Sequence, residues 1–143
     1  MYLLDTNVVS ELRKVADGRA DRVVATWAAK IDPATCYLSV VTLMELELGI
    51  RRIERRDRAQ ARLLLAWMER NVLAEFQHRI FAIDTAIARR CAWLHLPNPQ
   101  PERDAFIAAT ALHHQLTLVT RNIVDFDYAG LDVLDPWEHN SGP

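Results

Sequence analysis

Apolar residues fall in two alternating rhythms along this chain. Short apolar runs read as buried strands, and stretches repeating every three or four positions read as amphipathic helices. The run Tyr2-Leu3-Leu4 stops at Asp5 and predicts a first strand. Helical spacing follows over residues 8–14 and 19–31, and Asp32-Pro33 breaks the second, because the residue before a proline avoids helical backbone. Residues 36–40 read as a strand and 42–52 as a helix. Ala61, Leu64, Leu65, Met68, Val72 and Phe76 mark one face of a long helix over 58–76. A strand at 79–83 precedes Asp84, a capping residue for the helix that carries Ile87, Cys91 and Leu94. Pro97, Pro99 and Pro101 enforce an irregular loop. After it, 102–114 reads as a helix, 116–119 as a strand and 131–134 as a last strand.

Strands alternating with helices imply an α/β fold with a parallel sheet covered on both faces. The 143 residues suit one domain, expected over 1–138, with 139–143 as a flexible tail. A chain of this length can bury a real core without disulfides or structural metal. No apolar run reaches the ~18 residues a membrane span needs. The N-terminus lacks the basic region of a signal peptide, and Cys36 and Cys91 lie among apolar neighbours without metal-binding spacing. Both features point to a cytoplasmic protein with buried, reduced thiols.

Net charge is −2, so the chain is not coated in basic residues. The distribution is uneven. Fifteen of 17 basic residues are Arg, and six of them (Arg51, Arg52, Arg55, Arg56, Arg58 and Arg62) fall within residues 51–62. The Arg fork suits phosphate or carboxylate. A solvated helix face accounts for the same run.

In open parallel sheets, sites form outside the carboxyl ends of the strands. Asp5 ends the first strand, and Thr120, Asn122 and Asp125 follow the strand at 116–119. Asp104 lies in the first turn of its helix, and Glu45 lies one turn into the helix after the second strand. Taken singly, Asp5 suits a helix cap, Asp104 the positive end of a helix, and Asp125 a turn. Glu45 resists such a reading. Val41, Leu48 and Gly49 share its face, and a carboxylate stays ionised on an apolar face only with a cation or donors beside it. Glu47 has Arg51 at i+4 as a surface partner. Together the four acids would repel one another without a positive charge between them. Carboxylates with few imidazoles or thiolates favour Mg²⁺ or Mn²⁺ over zinc. There is no P-loop and no G-x-G-x-x-G among the four glycines, which argues against a nucleotide-binding loop.

Four segments carry a family resemblance: LLDTNVVSEL, VTLMELELG, RDAFIAATAL and LTLVTRNIVDF. In this order and at these spacings the chain resembles PIN-domain ribonucleases, and among them the FitB-like branch of VapC-type toxins. The resemblance runs from Tyr2 to about Trp137. It implies a PIN-like three-layer α/β/α fold and metal-dependent cleavage of RNA. It also implies that Asp5, Asp104 and Asp125 hold Mg²⁺ or Mn²⁺, with Glu45 binding directly or through water. Thr120 and Asn122 would orient the carboxylates, and Thr6 and Asn7 would tighten the turn behind Asp5. A cognate antitoxin and a homodimer are implied as well. Leu63 and Trp67, a second apolar stripe on the long helix, are the expected dimer contact. Arg51, Arg52 and Arg55 are expected to touch RNA or the antitoxin. The rival reading is a non-catalytic PIN-like module that only binds a partner. A phosphoryl-accepting receiver domain fits worse, since it needs an acid pair after its first strand and a late Lys, and the lysines here are Lys14 and Lys30.

Overall fold

A computed structural model describes residues 1–139 of the chain. Strand β1 (Tyr2–Leu4) passes directly into helix α1 (Thr6–Leu12). Asp5 makes this junction: its carboxylate accepts from the Thr6 backbone N–H at 2.8 Å, satisfying one of the donors a helix start leaves orphaned. The helix therefore begins two residues before the apolar pattern that announced it. Asp21 does the same for α2 (Arg22–Lys30), accepting from Val23 and Val24, which is why this helix starts after Asp21 and not at residue 19. Strand β2 (Cys36–Ser39) runs without a loop into α3 (Val40–Glu54), with Ser39 capping Val41.

The long helix expected over 58–76 has two parts. Helix α4 (Arg58–Trp67) gives way to a π-helical turn, Met68–Leu73. Met68, Val72 and Phe76 succeed one another in steps of four. Such steps drift around an α-helix of 3.6 residues per turn, and a wider turn keeps them on one side. Met68 and Val72 are accordingly buried in one core. Strand β3 (Ile80–Phe81), helices α5 (Thr85–Leu94) and α6 (Glu102–His114), and strands β4 (Thr117–Val119) and β5 (Val133–Leu134) complete the fold. The edge strands β3 and β5 are shorter than their apolar runs because each pairs through only two register positions with one neighbour.

All strands are parallel, in the order β3-β2-β1-β4-β5. Side-chain alternation along each strand feeds two cores. Leu3 and Leu118 face Ile107, Ala108 and Phe126 on one side of the sheet. Leu4, Leu38 and Val119 face Val9, Trp27, Ile50 and Val72 on the other. The result is three layers, with α5 and α6 on the first side and most of α1 to α4 on the second. The strand order changes direction between β1 and β4, which opens a crevice at their carboxyl ends.

Cys36 and Cys91 are free and buried. Among the described residues no helix is long and apolar enough to cross a membrane. The second stripe on α4 is not a surface stripe. Leu63 is 73% exposed, but Trp67 packs against the core with the Arg13 guanidinium 5.9 Å from its ring. A dimer contact there would rest on Leu63 without Trp67. Of the tail expected at 139–143, residues 140–143 lie outside the described residues.

Candidate active site

The crevice beyond β1 and β4 is lined by residues from four segments. Asp5, at the end of β1, is only 5% exposed. Its second carboxylate oxygen accepts from Thr120 Oγ1 at 2.8 Å and from Asn7 Nδ2 at 3.4 Å. Thr120, buried just past β4, is the hub: its hydroxyl also accepts from the Asn122 backbone N–H at 3.1 Å and from Asn7 Nδ2 at 3.3 Å. Asn7 in turn accepts from the Arg121 backbone N–H at 3.3 Å. The β1 and β4 loops are thus locked together by side chains, with Asp5 at the centre. Asp5 caps the helix through one oxygen and is held across the crevice through the other.

Glu45 reaches the same crevice from α3. Thr6 Oγ1 donates to it at 2.8 Å, and Arg103 from α6 stands 3.8 Å away. The donor and the cation that an apolar setting demands are both present. Arg103 is the residue that sequence reasoning missed. Its signal was its place beside Asp104 in the charged first turn of α6, Glu102-Arg103-Asp104. With Arg103 51% exposed and Glu45 25%, this long ion pair contributes little stability and can open. Glu47 points elsewhere, pairing with Arg51 at 3.3 Å, and Arg51 also pairs with Glu54.

Asp104 sits in the first turn of α6, half-buried. Its pKa is pushed up to about 6, first by burial and then by the negative charges of Asp5, Asp125 and Glu45. The charges of the other three acids are thus felt at Asp104. Burial also raises Asp5, with Glu45 adding to the effect, while the Thr120 and Thr6 hydrogen bonds oppose it. Asp125 is exposed on a single 3₁₀ turn, Ile123–Phe126. Arg51, Arg52 and Arg55 are not brought to the acids: they lie exposed at the far end of α3.

The donor set fits a hard divalent cation. It is made of carboxylate and hydroxyl oxygens. Among the described residues no three His, Cys, Asp or Glu side chains close into a cage. An open rim of this kind suits Mg²⁺, which keeps several waters and takes one or two protein carboxylates. Burial and the neighbouring acids together give a cation-free prediction with a definite sign. Asp104 has a folded pKa above its ordinary 3.8, so folding favours its neutral form. That stabilisation is present below about pH 4 and is lost as pH rises through about 6. In chelator, wild type should therefore melt progressively below Asp104→Asn as pH climbs through this window. Thermal melts that stay parallel across it would refute the raised Asp104 pKa.

The family model of the PIN domain matches residues 2–130. The VapC ribonuclease Y4jK of Sinorhizobium fredii is 36% identical over 96% of this chain and 99% of its own length. Toxin FitB of Neisseria gonorrhoeae is 34% identical with the same coverage of both chains. The crystal structure of FitAcB from Neisseria gonorrhoeae superposes with a TM-score of 0.86 and 30% identity, over 97% of this chain and all of that one. With the family model spanning nearly the whole sheet and two relatives above 30% identity matched almost end to end, this chain is a member of the PIN domain family.

Proposed function

We propose that this chain is a divalent-metal-dependent endoribonuclease that acts in the cytoplasm as the toxin of a toxin–antitoxin pair. The carrying observation is that Asp5, Glu45, Asp104 and Asp125 come from four segments to the carboxyl end of the sheet, where burial first and the charges of the other three second lift Asp104 to about 6. The scaffold around that locus is like that of a ribonuclease and a toxin. When bound, a Mg²⁺ or Mn²⁺ ion supplies positive charge against the scissile phosphate and activates the attacking water.

The chain's own residues do the positioning. Asp5 and Asp104 are the ligands on rigid elements, and Asp125 and Glu45 complete the negative rim. Thr120 and Asn7 hold the Asp5 carboxylate in one orientation, and Thr6 does the same for Glu45. Asn122 ties its backbone to Thr120 and so fixes the β4 loop beneath Asp125. Preorganisation matters here because a small misplacement of a reacting group costs rate steeply.

The test is cleavage of RNA by the purified chain in Mg²⁺ against chelator. Equal cleavage in both would sink the metal mechanism, and no cleavage in either would leave the non-catalytic binding module. A finer comparison separates the two glutamates of α3. Glu45→Gln should lose cleavage by roughly 10–100-fold, the cost typical of disturbing a metal site. Glu47→Gln should stay near wild type, since Glu47 meets only Arg51 at the surface. The reverse order would remove Glu45 from the site.

An active ribonuclease endangers its own cell, so the reading includes an antitoxin that covers the rim. The physics favours a basic side chain from that partner, because an Arg fork can grip paired carboxylates.

A further inference from the structure

The active rim poses an electrostatic problem. RNA is a polyanion, the rim presents four acids, and the whole chain carries −2. A bound cation neutralises only part of that charge, so attraction for the RNA backbone must come from elsewhere. Arg103 already pairs with Glu45 at the rim, and the densest basic run lies in the turn between α3 and α4. Arg51, Arg52, Arg55, Arg56, Arg58 and Arg62 are all exposed there. Arg51 is held by Glu47 and Glu54, but among the described residues the other five take part in no ion pair. The nearby Asp57 is engaged in capping α4 through the Gln60 N–H.

This cluster is unfavourable in isolation. Arg52 and Arg56 lie four apart on or just past α3, and Arg58 and Arg62 lie four apart on α4. Like charges at that spacing destabilise a helix. Arg58 also opens α4 at the positive end of its dipole. A stretch that repels itself and opposes its own helix is relieved by an anionic partner.

A groove leads from the acids toward the cluster. A groove of about 330 Å³ runs between α1, α3 and α4, from Thr6 and Glu45 past Gly49 and Ile53 to Trp67. Glu45, Gly49 and Ile53 follow one another at intervals of four along α3, so they form one stripe. Gly49 leaves the stripe open, since a Cβ there would meet nothing within 4 Å. From Glu45 to Arg55 the helix advances ~15 Å.

We infer that the α3–α4 turn is the RNA-backbone anchor of this protein, holding the phosphates of one flank of the substrate while the groove leads the strand to the acid rim. This rests on the ribonuclease reading but can fail separately from it. The anchor is sequence-independent, because phosphate contacts position a strand without reading it.

The experiment uses fluorescence anisotropy of a labelled single-stranded RNA of about 20 nucleotides, with the full chain in chelator, over a salt series. The triple variant R52S/R55S/R56S should bind on the order of tenfold more weakly, and its salt slope should fall by about 2, near 0.7 for each phosphate contact removed. R58S/R62S, on the other side of the turn, should lose a smaller share in the same direction. Both should melt at or above the wild-type temperature, because they remove repulsion between exposed charges. R89Q/R90Q, which removes two exposed arginines from α5, should bind as wild type. An unchanged Kd and slope in the triple variant overturns the anchor. So does an equal loss in R89Q/R90Q, which would mean diffuse attraction. Intact RNA binding combined with weakened capture of an acidic protein partner overturns it as well. A chain that binds RNA through the turn yet never cuts it fails the ribonuclease reading and keeps the anchor. A chain that cuts RNA with the turn indifferent does the opposite.

Discussion

Replacing Asp104 by Asn should lower metal-dependent cleavage by on the order of 10³-fold, equivalent to about 4 kcal/mol of transition-state stabilisation. The substitution is nearly isosteric, and Asp104 is half-buried in the first turn of α6, where its side chain makes no hydrogen bond among the described residues. What changes is charge. The locus loses a carboxylate that feels the charges of the other three, and with it a proposed ligand that would have to be ionised to bind a cation. The same change relieves repulsion, so the variant should be more stable than wild type in chelator at neutral pH. It should also gain less from added Mg²⁺, because a ligand stabilises only to the extent that it binds the folded state. Loss of activity with gained stability is the signature of a site residue. Loss of both would place Asp104 among structural residues. Asp5→Asn should be as inactive but less stable, since Asp5 caps α1 and accepts from Thr120 and Asn7 as well. Wild-type rates in Asp104→Asn would remove it from the mechanism.

Part of this arrangement is legible in the chain alone. The run Tyr2-Leu3-Leu4 followed by Asp marks both the strand and the place where a side chain emerges at its carboxyl end. Helix α6 is bounded as its pattern suggests, since Pro101 precedes its first turn and Gln115 adopts left-handed backbone at its end. Features that depend on contact between distant segments were not legible in the local pattern, and only the family resemblance sets Thr120 beside the carboxylates. Thr120 donates to Asp5 across 115 positions, and nothing local to either residue announces the bond. The Arg103–Glu45 pair joins α6 to α3 in the same way. Local competition hid other details. Asp5, Asp21 and Ser39 each offer a side-chain acceptor to the first backbone N–H groups of a helix, and so set its start against the apolar rhythm. The π-helical turn was visible only as successive steps of four, a pattern easily read as ordinary helix.

The strongest coupling of packing to chemistry should appear at Ala108. Ala105, Ala108, Ala109 and Ala111 on α6 are all fully buried, and Ala108 sits against Leu3 and Leu118 of the central strands. Small residues there let the helix axis approach the sheet closely, and that approach sets how far Asp104, one turn earlier on the same face, reaches into the crevice. Ala108→Leu forces three extra carbons into a close-packed layer. Overpacking of this kind typically costs about 1–3 kcal/mol, here roughly 5–10 °C in melting temperature. The helix can yield only by moving away from β1 and β4, and Asp104 moves with it. A displacement of ~1 Å at a reacting centre is worth roughly 100-fold in rate, so cleavage should fall by about that factor at temperatures where the variant is still folded. Ala108→Ser, which adds one atom able to bond back to the carbonyl of residue 104, should keep most of both. A variant Ala108→Leu that melts lower yet cuts RNA at the wild-type rate would show that α6 does not set the reach of Asp104.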